Sequence, residues 1–126
     1  MTFFIGEHSG TEFDDYAGIT DELANLVYYG RHLFEQCLEE EDLDFLYSID
    51  PFADTIIETE DIPRIIRVAE VFLDEDLLEE MSHTRKFQLY WNDERGQKEI
   101  RQSLGDLIRI CKGAIEQNRK IFVSGD

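Results

Sequence analysis

Three groups of carboxylates are the residues of this chain best suited by type and spacing to do chemistry. They are Glu39, Glu40, Glu41, Asp42 and Asp44; Glu58, Glu60 and Asp61; and Glu70, Asp74, Glu75, Asp76, Glu79 and Glu80. Paired acids can act as general acid and base or hold Mg²⁺, but both tasks need buried, converging groups whose pKa values are pushed apart. Runs of neighbouring acids predict a solvated surface instead. Asp74-Glu75-Asp76 also lacks the glycine and the ligand spacing of an EF-hand loop. His8, His32 and His83 have no partner at metal-ligand spacing and suggest no Ser/His/Asp set. The chemistry left to these residues is recognition: a negative face that draws in a positively charged protein. Neither an enzyme activity nor a cofactor is expected.

The charge is polarised along the chain. Residues 1–81 carry 23 Asp and Glu against Arg31, Arg64 and Arg67, a balance of −20, whereas residues 82–126 carry a balance of +3, for a net −17. Such a field repels nucleic acid and anionic membranes and steers basic partners toward one face. In the C-terminal part, Lys98, Arg101, Arg109, Lys112 and Arg119 fall within an arc of about 80° on a predicted helix. They read as a solvated, partly paired face, or alternatively as a site for an anion. They are too few, beside so many acids, to hold nucleic acid.

The chain, with 42% hydrophobic and 12% aromatic residues over 126 positions, is expected to form a single domain with its own core. No apolar run is long enough to cross a bilayer, and the N-terminus lacks the features of a signal peptide, so a cytoplasmic protein is expected. Thr2–Ile5 has strand character, and Gly6 to Gly18 reads as a connection. A first helix follows from Thr20 to about Glu41, with Leu23, Leu26, Val27, Phe34, Cys37 and Leu38 on its stripe. Two helical turns over 42–49 stop at Asp50-Pro51. Residues 54–58 read as a short strand. A second helix then begins near Thr59 with Pro63 in its first turn, burying Ile62, Ile65, Ile66, Ala69, Phe72 and Leu73. Residues 83–91 fit a strand or a helix, and Tyr90 with Trp91 could anchor an interface or fill the core. The last helix, about Gln97 to Asn118, shows a stripe of Ile100, Leu104, Leu107, Ile108, Cys111, Ala114 and Ile115, and a terminal strand, 120–123, follows. The architecture predicted is α+β and mostly helical, with three long helices packed on a small sheet of short strands. Cys37 and Cys111 lie in phase with the apolar stripes and are expected to be buried, reduced thiols.

Helix boundaries decide what the acids cost. On two uninterrupted helices, the first and third clusters occupy C-terminal turns, where each carboxylate opposes the helix dipole by about 0.3–1 kcal/mol. If Asp42 and Asp74 instead restart helices as N-caps, the same charges become favourable. The sequence leaves both open.

Asp50-Pro51-Phe52-Ala53-Asp54-Thr55, leading into Ile62-Pro63-Arg64-Ile65-Ile66, and the later Ile121-Phe122-Val123-Ser124-Gly125-Asp126 resemble a family of small uncharacterised bacterial proteins. Its members show a "DPYGDT" turn and strand, a helix, and an apolar strand ending in "GD". Here Phe52 and Ala53 stand at the aromatic and glycine positions. Such proteins look like the immunity partners of secreted bacterial toxins. The resemblance implies an acidic immunity or antitoxin-like protein that binds and blocks a basic toxin or a nucleic-acid-processing partner. Glu39, Glu40, Glu41, Asp42, Asp44, Glu58, Glu60, Asp61, Glu70, Asp74, Glu75 and Asp76 are the expected contacts. A DNA-mimic or regulatory adaptor shares the acidic face, and a small metal-dependent hydrolase would need a buried carboxylate cluster.

Overall fold

A computed structural model of the chain describes residues 1–6, 16–19, 35–50, 53–74, 76, 79 and 94–125. Strand β1 (Thr2–Ile5) is followed by β2 (Ala17–Gly18), helix α1 (Glu40–Ser48), β3 (Thr55–Ile57), a 3₁₀ turn (Thr59–Asp61), α2 (Ile62–Phe72), α3 (Glu94–Gln117) and β4 (Ile121–Ser124). The strands pair antiparallel in the order β2-β1-β4-β3. The fold is α+β and mostly helical, with one small antiparallel sheet. Among the described helices only α3 is long; α1 and α2 have 9 and 11 residues. Most of the first helix expected from the sequence, together with Tyr90, Trp91 and the three histidines, lies outside the described residues.

The register explains the alternation in the strands. Phe3 pairs with Val123, and Ile5 and Ile57 pair with Ile121 on its two sides. Phe3, Ile57, Ile121 and Val123 are buried in the core beneath α2 and α3. The intervening Phe4, Phe122 and Ile56 share the opposite face, where Ile56 is exposed. Strand β2 was not expected. Its two residues have no period to read, and it exists because Ala17 and Gly18 pair with Phe3 and Thr2. Its pairing is prolonged by the Ile19 N–H, which donates to the Met1 carbonyl at 2.8 Å.

Helix α2 has Pro63 in its first turn, as the sequence predicts, where its missing N–H breaks no helical bond, but it starts at Ile62, after a 3₁₀ turn that replaces the expected cap at Thr59. It buries Ile62, Ile65, Val68, Ala69 and Phe72 against α3, while Ile66 is only half-buried. The buried stripe of α3 comprises Gly96, Ile100, Leu104, Leu107, Ile110, Cys111 and Ala114. It is rotated from the expected one: Ile110 is buried, Ile108 is half-buried and Ile115 is exposed. Ile108 and Ile115 sit on the flank toward the cationic arc, at about 60–80° from Ile100 on a helical projection, just beyond the roughly 120° that the buried positions span. No described helix is long and apolar enough to cross a membrane.

Helix α3 closes with Asn118 in the left-handed region at φ 53. The Asn118 N–H donates to Ile115 O at 3.1 Å and the Arg119 N–H to Ala114 O at 2.9 Å, the paired bonds of a Schellman motif. Asn118→Val is expected to lose about 1 kcal/mol, because a β-branched residue is strained there, while Asn118→Gly is expected to be neutral or slightly stabilising. Urea denaturation midpoints of the two variants check this.

The two halves of the pattern read in the sequence meet in space. Ala53 closes a turn by donating its N–H to Asp50 O at 3.3 Å, and the Gly125 N–H donates to Asp54 Oδ1 at 3.1 Å. A Cβ on residue 125 would overlap the backbone N, C and O of Ala53. Glycine is therefore required here by close approach of two backbones, and the Asp54 carboxylate ties the end of β4 to the start of β3.

Candidate functional site

From Arg31 to Arg64 the chain contains no cation, and up to Arg85 only Arg64 and Arg67 interrupt its acids. Both arginines lie on α2, three residues apart and therefore on one face, and that face packs against α1. Their target is Asp42. Arg67 holds it bidentately, Nε to Oδ2 at 2.8 Å and Nη2 to Oδ1 at 2.9 Å, and Arg64 Nη1 reaches Oδ1 at 3.1 Å. Asp42 is 2% exposed and is the one buried residue of α1. The guanidinium groups themselves stand nearer to water: the Arg67 side chain is half-exposed. The hydrogen bonds from Arg67 hold the Asp42 carboxyl below the usual aspartate range, against the opposing effect of burial.

Asp42 is thus a correction to the expected contact set. Its carboxylate is turned inward and satisfied, and it joins two helices within the molecule. The reason is helical phase. With Glu39 as the N-cap and Glu40 as the first residue, Asp42 falls in line with Phe45, Leu46 and Ile49, the half-buried apolar side of α1.

The remaining acids gather around α2. At its N-terminal end Arg64 also approaches Glu41 at 3.5 Å and Asp61 at 3.3 Å, which brings the first and second clusters together. Glu58 pairs with Lys120 at 3.1 Å. At the other end, an open groove of about 650 Å³ is lined by Leu38 and Val71 together with Glu39, Glu70 and Asp74, joining the first cluster to the third. Glu39, Glu40, Glu41, Asp44, Glu58, Glu60, Glu70, Asp74 and Asp76 are exposed and Asp61 is half-exposed, while Glu75 lies outside the described residues. Glu39, Glu40, Asp44, Glu60 and Glu70 form no ion pair with a described residue.

New helices begin at both places, but the N-cap of the first is Glu39 and not Asp42. Glu40, Glu41 and Asp42 occupy the first turn of α1, where negative charge suits the dipole. Asp74 Oδ1 accepts the N–H of Asp76 at 2.9 Å, the bond of an N-cap, and Asp76 and Glu79 are helical. These acids therefore stabilise the turns that carry them.

Cys37 also departs from expectation. It is exposed at the point where its helix stops, and it lines the groove. Cys111 is buried as expected, and burial pushes its thiol up to about 12. Iodoacetamide is expected to alkylate Cys37 in the native protein and Cys111 only after unfolding, a difference that peptide mass spectrometry reads directly.

Arg64 and Arg67 are the functional side chains that sequence reasoning passed over. Two cations at helical spacing, alone within a long acidic tract, were the signal. Lys98, Arg101, Arg109, Lys112 and Arg119 are all exposed, with Arg109 Nη2 3.6 Å from Asp106. Among the described residues no three His, Cys, Asp or Glu side chains are grouped as metal ligands would be. Compared with known proteins, the chain matches no family model, no curated protein and no solved structure.

Proposed function

We propose that the chain is a stoichiometric binding protein that presents the acidic surface around α1 and α2 to a basic protein, as an immunity or antitoxin-like inhibitor does in the cytoplasm. It acts by occupying the partner, without chemistry of its own. One observation carries this reading: acids far apart in sequence gather around α2, where Arg67 binds the internal Asp42 and Arg64 is shared among Asp42, Glu41 and Asp61, so that the outer carboxylates outnumber the cations near them. A field of this kind accelerates encounter with a cationic cleft, and a bulky acidic body seated there excludes the cleft's own anionic substrate.

The test uses the protein encoded beside this one as partner. Reversing Glu40, Glu60 and Glu70 to Lys is expected to slow association by about tenfold or more at low salt, and by much less at high salt. Reversing Glu94, Glu99 and Glu116 on α3 makes the same change in net charge away from the site. Equal slowing in both triples, or none in the first, would remove the acidic face as the determinant.

A further inference from the structure

Helix α1 is attached to the rest of the molecule in an unusual way. Its apolar residues Leu43, Phe45, Leu46 and Ile49 are only half-buried at the margin of the core, and its buried side chain is a carboxylate. Among the described residues its principal neighbour is α2, and any contact with the sheet is slighter than those that fix α3. An ion pair in that place does not behave like apolar packing. Removing one partner leaves the others poorly solvated, and the attachment depends on charge.

We propose that α1 is a latched helix: it opens as a unit when Asp42 loses its charge or its guanidinium partner, while α2, α3 and the sheet stay folded. Each charged group around the latch bears on it. Glu39 and Glu41 flank Asp42 from its own segment, and from α2 come Arg64 and Arg67, with Asp61 and Glu70 beyond them. Glu41 favours the charged form of both arginines and Glu39 that of Arg67, and the polar part of the attachment is the set of direct bonds at 2.8, 2.9 and 3.1 Å. Exposed Glu40, Glu41 and Asp44 travel with α1, so opening rearranges the acidic surface itself.

Hydrogen exchange of the intact chain, read peptide by peptide, tests the latch without any partner. In Asp42→Asn the amides of α1 are expected to lose about tenfold to a hundredfold in protection, while those of α3 and β4 stay within about twofold of the parent. Arg67→Gln at neutral pH is expected to open the same segment. An equal loss throughout the molecule, or an unchanged α1 in either variant, overturns the proposal. Should the variants not fold, the parent chain carries the test. Lowered from about pH 6 to about pH 3, with rates corrected for intrinsic exchange, α1 must lose protection before α3 and β4. Simultaneous loss overturns it.

Discussion

Ile121→Ala is expected to lower the free energy of unfolding by about 3 kcal/mol, a large share of the ~5–15 kcal/mol that holds an ordinary domain together. Ile121 is fully buried on the central strand β4, flanked in register by Ile5 of β1 and Ile57 of β3. Truncating it removes transfer free energy and leaves a void that both neighbouring strands, tied to β4 by their ladders, are poorly able to fill. Ile56→Ala, one residue away in β3 but on the exposed face, is expected to lose less than about 1 kcal/mol. Denaturant titrations of both variants provide the comparison. A larger loss at Ile56 than at Ile121 would mean that the inner and outer faces of the sheet had been exchanged.

Asp42→Ala is expected to cost about 2 kcal/mol at neutral pH. Breaking a fully buried ion pair costs about 3–5 kcal/mol, but here water reaches Arg67 and screens the charges left behind. The pH dependence has a definite sign. Because the folded carboxyl is held below its unfolded value by the hydrogen bonds from Arg67, its contribution is fully present above the unfolded pKa of about 4. That contribution disappears as the pH falls through the lower folded value. The difference between parent and variant should therefore be greatest near neutrality and shrink toward strongly acid solution. A difference that stays constant down to low pH would show that lost packing, and not charge, accounts for the defect.

Much of this fold could be read from local pattern. Strands β1, β3 and β4, the Pro63 entry of α2 and the extent of α3 follow from β-branched runs, proline position and a 3.6-residue period, all of which act within one element. What escaped was decided between elements. The burial of Ile110 in place of Ile115 depends on which side of α3 meets its neighbours, and a two-residue β2 is defined by its partner. The site divides in the same way. A run such as Glu39 to Asp42 does not itself reveal which acid turns inward; that needs the helix to start at Glu40, after which Asp42 lines up with Phe45, Leu46 and Ile49. Cys37 falls inside only if one helix is extended through the break at Leu38 and Glu39.

The position of β4 has a bearing on how the molecule forms. It lies between β1 and β3, so the first and last described strands are joined across nearly the whole length of the chain. During synthesis β1 can pair only with β2, and β3 has no neighbour in the sheet, until residues 121–124 have left the ribosome. Contacts of such high order slow the search for the native state. A nascent chain lacking this strand presents two unpaired edges, and an excess of negative charge at that stage keeps such chains apart from one another.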